Sequence, residues 1–417
     1  MSRLKKDISI TFIGAIITAL CNILWLALVS REYGVESYGI YVICQNLGVF
    51  IATFACVRTG DLIYKYHQAN SELFRFIKLF TLLLTLLVSL LVTLVLFFLL
   101  PIIAENFYSN IPINMLYLSA VYVFFFSFNN FSLAIIRCNG DFKKLVKIES
   151  SMKLAQLIFG AFLIYYTELI PNVTYVFYIW FLFNVLIQII LLILAVNGML
   201  KIRCFQSIKG NFFRYKTDIY SVLYHSNLMG YFKIASSPGD TFLIGLFGGP
   251  TQVAIYNVAL QVINIGVLVK NNLNNVLAPR IIQLYKRGTD KLKSFVYKYI
   301  VYSSVISAFF CLFIYLFGKN IIDLFFGKQP DEIELLLLVM ALNYVITLIS
   351  LCYYPIALTI GKLRPRTILL TIKTMLLFLY IALFGLTAEA FVIFELTFSI
   401  LIRLINDYPL HKKVFHA

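Results

Sequence analysis

Twelve runs of mostly apolar residues, most of them close to 20 long, recur along the chain. They lie near 8–30, 38–57, 79–101, 113–136, 148–166, 175–197, 221–246, 252–278, 299–317, 334–360, 367–386 and 388–405. A helix needs roughly 20 such residues to cross the hydrocarbon core of a bilayer. The other structure able to span lipid, a closed barrel, shows ~10-residue segments of alternating polarity. The run LFTLLLTLLVSLLVTLVLFFLLP at 79–101 has no such alternation. Only 13% of the residues are charged, against about a quarter in soluble domains. The pattern predicts an all-α polytopic membrane protein with about twelve transmembrane helices. The opening MSRLKK resembles the start of a signal peptide, but the apolar run behind it is about 22 residues long. That exceeds the 7–15 residues of a cleavable apolar region, so a retained first span is expected.

The net charge of +16 invites a nucleic-acid partner, and the placement of the charges argues against one. With the N-terminus in the cytoplasm, 28 of the 35 Lys and Arg residues fall in the cytoplasmic loops and tails. Three (Arg31, Lys319 and Lys328) fall outside, and four (Lys153, Lys233, Lys270 and Lys373) lie within spans. Such an asymmetry sets membrane orientation and faces anionic headgroups. Both termini are therefore expected in the cytoplasm, and no nucleic acid is expected as a partner. None of the seven cysteines forms a C-x-x-C pair or falls in an outer loop, so neither a disulfide framework nor a metal site is expected.

The chain divides into echoing halves. Gly34 precedes Tyr41 by seven residues in YGIYVICQNLG, and Gly249 precedes Tyr256 by seven in VAIYNVALQVINIG. The fourth span of each half ends in a short basic loop with a glycine, RCNGDFKK from Arg137 and GKLRPR from Gly361. The expected organisation is an N-terminal six-helix lobe over 1–197, a basic cytoplasmic linker over 198–220, and a C-terminal six-helix lobe with a short tail over 221–417. Six spans each make the halves parallel repeats. No outer loop is long enough for a soluble module, and no G-x-x-x-x-G-K-[ST] occurs. The layout points to a secondary transporter without cofactor or catalytic residues.

Ionisable groups at membrane depth cost about 2.5–3.5 kcal/mol each on insertion scales, so they normally face a cavity or a partner. Ser226, Gly230, Lys233, Ser237 and Asp240 share one face of span seven. Asn257, Gln261, Asn264, Leu268, Asn271 and Asn275 share one face of span eight. A tight turn, FGGPTQ, joins the two spans and sets Asp240 level with Asn257 and Lys233 with Asn264. Single amides often serve as interhelical glue, but about ten polar residues on two neighbouring helices favour the wall of a water-filled cavity. Pro238 loosens the helix beside Asp240. Lys270, on the side of Asn274, either lines the cavity or snorkels to the headgroups. Lys153 and Lys373, near span ends, are expected to snorkel. Arg58 either lines an inner vestibule or pairs with Asp61. Glu395 is expected to pair with Arg403, the alternative being a coupling proton. A lysine among amides suits an anionic, hydroxyl-rich solute.

Several segments resemble one family, the polysaccharide-exporting flippases of the Wzx type within the MATE-like exporter superfamily. These are SREYGVESYGIYVICQNLG, DTFLIGLFGGPTQVAIYNVALQVINI, LAPRIIQLYKRG, FGKNIIDLFFG and LTIGKLRPR, in that order over nearly the whole chain. The resemblance implies two six-helix lobes around a central cavity and alternating-access transfer of an undecaprenyl-diphosphate-linked oligosaccharide across a bacterial inner membrane. It implies surface polysaccharide such as O-antigen or capsule as the product. A polymerase and a chain-length regulator would be partners beside membrane lipids, and a proton gradient, sodium gradient or membrane potential the driving force. On that basis Lys233, Lys270 and Arg58 would hold the diphosphate or an acidic sugar. Asn257, Gln261, Asn264, Asn271 and Asn274 would meet sugar hydroxyls, and Asp240 and Glu395 would be ion-coupling residues. A multidrug exporter would want acids in its cavity, and the in-span lysines argue against it. A polymerase or scaffold for the same polymer would lack the cavity.

Overall fold

The structure is a computed structural model and describes residues 2–55, 57–66, 71–107, 111–166, 172–197, 215–217, 219–220, 222–224, 227, 238–287, 289–360 and 364–415. Among these, helices joined by short connections make up the whole fold and no strand occurs. The chain forms two compact units, Met1–Phe242 and Leu243–Ala417. Eight helical stretches of the described residues are long and apolar enough to cross a membrane. Two of them, Ile16–Ala52 and Gly239–Asn264, hold residues of more than one expected span.

In the first unit, α1 (Ser2–Ala55) carries spans one and two. The reversal falls on Gly34, whose φ of 78° and ψ of 174° break the helix. A side chain rarely adopts that backbone, and glycine adopts it freely. A short helix, α2 (Thr59–Tyr66), precedes α3 (Ser71–Phe107), which is span three. Span four comprises α4 (Ile113–Ser127) and α5 (Asn129–Cys138), and α6 (Phe142–Tyr166) and α7 (Val173–Asn197) are spans five and six. Half of span seven and most of the expected linker over 198–220 lie outside the described residues.

The helix running out of span seven, α8 (Pro238–Arg287), contains span eight. Gly249 breaks α8 with φ 78° and ψ 178°, close to the angles of Gly34. Span nine is α9 (Thr289–Phe326). Span ten runs through α10 (Glu332–Ile349), a 3-10 turn (Ser350–Cys352) and α11 (Tyr353–Ile360). Pro355, which has no N–H to give the carbonyl four residues earlier, sits just past that break. Spans eleven and twelve are α12 (Arg364–Phe384) and α13 (Ala388–Ile402), followed by a π-helical turn (Arg403–Asp407) and α14 (Tyr408–Phe415).

Burial follows lipid logic rather than aqueous logic. Along α3, Leu83, Leu87, Leu91 and Val95 are exposed, while Thr81, Thr85, Ser89 and Thr93 are buried at a spacing of one turn. With no hydrophobic gain from hiding leucine in lipid, small hydroxyl residues take the helix contacts. Thr81 and Thr85 return their hydroxyls to carbonyls four residues back, at 2.8 Å each. The third span of the second unit also buries serines, Ser303 and Ser307, and exposes Val305, Ile306 and Phe309. The Ser303 hydroxyl donates to the Ile300 carbonyl at 3.1 Å, and that of Ser307 meets no partner among the described residues.

An aromatic cluster closes the first unit. The Trp25 indole N–H donates to the Tyr41 hydroxyl at 2.8 Å, and both residues are buried. The Tyr41 ring stands edge-on to Phe177 at 6.0 Å and to Trp180 at 6.4 Å. Gly160 of α6 lies directly against the Trp25 ring. In the second unit Tyr256, the echo of Tyr41, stands edge-on to Phe391 at 5.9 Å. Spans eight and ten meet where the Tyr344 hydroxyl donates to the Gly266 carbonyl at 2.9 Å. The last span is capped twice, its Ala388 N–H donating to the Gln252 side chain and its Ala390 N–H to the Thr387 hydroxyl. A methyl group at Gly160 would overlap the indole. Gly160→Ala is therefore expected to cost about 1–3 kcal/mol, read as a lower midpoint in detergent thermal unfolding.

Candidate functional site

In lipid a cation without a partner is expensive, which makes the in-span lysines the place to start. Lys153 does not snorkel. Its ammonium donates to the Asn184 side-chain oxygen at 2.7 Å and to that of Gln156 at 3.4 Å. Helical spacing puts Lys153 and Gln156 on one face of α6, and Asn184 comes from the neighbouring α7. The Asn184 amide N–H₂ also donates to the Trp180 carbonyl at 2.7 Å. Gln156 and Asn184 are both buried. A four-carbon stem can reach the headgroups only if nothing nearer solvates its charge, and here two neutral amide oxygens do.

Lys373 does not snorkel either. It pairs with Glu395, α12 to α13, with the side chains 16% and 19% exposed. Glu395 thus takes its cation from the neighbouring helix instead of from Arg403 on its own. The expectation from spacing fails because the tertiary contact brings the Lys373 ammonium closer than the guanidinium two turns along. Replacing Lys373 by Met would leave a carboxylate uncompensated, a loss of about 3–5 kcal/mol in comparable buried pairs. The double variant Lys373→Met/Glu395→Gln is expected to regain most of that stability, measured by thermal unfolding of all three proteins.

The polar face of span eight is present in part. Asn257 is buried, and the Gln261 amide N–H₂ donates to its side-chain oxygen at 3.3 Å. Asn264 and Lys270 follow on the same helix, both half-buried. Asp240 lies in the first turn of α8. Lys233, Ser226, Gly230 and Ser237 lie outside the described residues, as do the side chains of Asn271, Asn274 and Asn275. Arg58 is half-buried, and its backbone N–H donates to the Asn227 side chain at 2.9 Å. Asn227 belongs to span seven and was not singled out by the sequence pattern. Its side chain ties the end of span two to the start of span seven within the first unit. Among the described residues no group of three His, Cys, Asp or Glu could hold a metal ion.

A further cluster lies beyond the last apolar run. Asp407 in the π-helical turn is buried, and the Asn406 amide donates to it at 2.8 Å. Nearby, the Tyr353 hydroxyl and His411 Nδ1 are 2.7 Å apart. Burial pushes the Asp407 carboxyl above the usual carboxylate range, against the opposing pull of Asn406, Arg366 and Arg403. A raised folded-state value favours the neutral acid, so its stabilising contribution is full in acid. That contribution is lost as pH rises through the folded-state value. Asp407→Asn, neutral throughout, is expected to melt with the native chain in acid and above it at neutral pH.

Hairpin reversals at matched glycines, hydroxyl stripes on matched spans and lysines on both fifth spans define a membrane protein built from two similarly constructed units. The comparisons agree on the fold. An inward-facing multidrug resistance MATE family transporter of the MOP superfamily aligns over 95% of this chain and 95% of its own, with a TM-score of 0.67 and 18% identity. The lipid II flippase MurJ in an inward closed conformation aligns over 97% and 89%, with a TM-score of 0.69 and 13% identity. The Vibrio cholerae MATE transporter VcmN in its bent form aligns over 100% and 97%, with a TM-score of 0.59 and 14% identity. The chain therefore has the MATE-like fold. The profile of the family described as "Polysaccharide biosynthesis protein" matches residues 29–335. The chain belongs to that family. No curated protein matches its sequence significantly.

Proposed function

We propose that this protein is a flippase that moves an undecaprenyl-diphosphate-linked oligosaccharide repeat unit across the bacterial inner membrane by alternating access, for O-antigen or capsule synthesis. The observation that carries the proposal is the polysaccharide-biosynthesis profile over 29–335 on a chain whose fold matches that of exporters and of a lipid II flippase. The amides of α8 support it. Asn257, Gln261 and Asn264 offer both donors and acceptors to sugar hydroxyls, continued by Asn271 and Asn274. Lys233, with Lys270 and Arg58, holds the diphosphate or an acidic sugar by charge-assisted hydrogen bonds. Both termini lie in the cytoplasm on the strength of the Lys and Arg asymmetry. Asp240 and Glu395 couple the cycle to an ion gradient or to the membrane potential. A polymerase and a chain-length regulator take the product.

Lys233 gives the most direct test. Lys233→Ala, expressed at the native level, is expected to lower surface-polysaccharide display at least tenfold in a deletion strain. Full display in that strain would remove the central lysine from the site.

A further inference from the structure

Two arginines at one end of the second unit converge without a carboxylate to pair with. Arg366 lies in the first turn of α12. Arg403 opens the π-helical turn after α13, and α12 packs against that turn. Both are half-buried, and both lie near enough to act on the Asp407 carboxyl. Among the described residues, however, neither guanidinium comes within ion-pair distance of an acid. Asp407 is buried and takes its hydrogen bond from Asn406 instead. One carboxyl among two guanidiniums leaves the cluster positive whether or not Asp407 is ionised. Arg366 sits over the Tyr354 ring, its Cζ 5.3 Å from the centroid. A ring face attracts a guanidinium but satisfies few of its five N–H donors.

The surface around these charges is apolar. Ile368 of α12, Leu404 and Ile405 of the π-helical turn, and Tyr408 at the start of α14 are all exposed, as is Tyr354. Aliphatic side chains at the end of two spans, with tyrosines among them, mark the depth of the lipid headgroups. We propose that Arg366 and Arg403 form a binding site for the phosphate of an anionic bilayer phospholipid, with Ile368, Leu404 and Ile405 against its acyl chains.

Three physical requirements select that occupant. Half-buried cations at the edge of a bilayer need an anion, and the phosphate supplies the one that the chain does not. Guanidinium forks match phosphate oxygens with paired, charge-assisted hydrogen bonds, and basic clusters between spans bind acidic headgroups. A free anion would use the guanidiniums and leave the apolar rim without a role. A zwitterionic lipid would bring its own ammonium to a cluster that is already positive.

This site is independent of the transported solute, and its test uses the full chain in neutral detergent. Native mass spectrometry would follow binding of phosphatidylglycerol, phosphatidylcholine and undecaprenyl phosphate at matched concentrations. The native chain is expected to hold phosphatidylglycerol about fivefold or more tighter than phosphatidylcholine. Arg366→Gln and Arg403→Gln should each weaken that binding about fivefold, the equivalent of about 1 kcal/mol per basic residue near anionic lipid. Lys143→Gln/Lys147→Gln, a change of two exposed lysines in the first unit, should leave it unaltered, and an excess of inorganic phosphate should not displace the lipid. Thermal unfolding without added lipid checks that each variant is folded. Should an arginine variant not fold, Tyr354→Leu keeps both charges, removes the ring under Arg366 and should weaken binding about threefold. Equal binding of phosphatidylcholine, or native phosphatidylglycerol binding in the folded arginine and Tyr354 variants, would overturn the proposal. So would equal weakening in the lysine variant, tighter binding of undecaprenyl phosphate, or displacement by inorganic phosphate.

Discussion

Inside a bilayer a polar group finds no water, so each one needs a partner from the chain. That requirement organises both units. The hydroxyls of Thr81 and Thr85 fold back onto their own helix, and Gln252 caps the first turn of the last span. The Trp25 indole and the Tyr41 hydroxyl satisfy each other in the middle of an aromatic cluster. The two fifth-span lysines obey the same rule with acceptors borrowed from the sixth and twelfth spans. Apolar surface needs no such help in lipid, and the leucines of α3 stay exposed.

The repeat is visible in how the backbone turns as much as in composition. Gly34 and Gly249 adopt nearly the same angles, each seven residues before a tyrosine that stands edge-on to a phenylalanine of the sixth span of its unit. The fourth span is interrupted in both units, around Phe128 and around Ser350–Cys352. A duplicated scaffold keeps such positions because they set helix direction, while the side chains at matched sites are free to diverge. Lys153 takes its acceptors from amides, Lys373 from a carboxylate on the twelfth span.

Membership of the polysaccharide biosynthesis protein family and the MATE-like fold fit together physically. Long apolar helices give a lipid-facing exterior, and the amides of α8 concentrate hydrogen-bonding capacity on one helix. Asn257 and Gln261 bond to each other in the structure, which holds both side chains in defined positions. Amides held in that way can exchange a partner in the protein for a hydroxyl of a solute at little cost in ordering. The proposed oligosaccharide carrier draws on both properties.

Twelve apolar runs, the Lys and Arg asymmetry and the two Gly-to-Tyr echoes were all legible in the sequence, because span length and turn chemistry are local properties. The polar face of span eight was legible for the same reason, since helical spacing alone puts Asn257, Gln261 and Asn264 together. Spacing could not say which neighbour each charge would choose. Lys153 and Lys373 sit near span ends, where snorkelling is the local solution, and Glu395 has Arg403 on its own helix. Only the packing of the fifth span against the sixth, and of the eleventh against the twelfth, brought Asn184 to Lys153 and Lys373 to Glu395. The sequence by itself thus determined a many-spanned membrane protein with repeated halves. The tertiary structure decided the partners of its buried charges, because those partners come from other helices and are fixed by three-dimensional proximity.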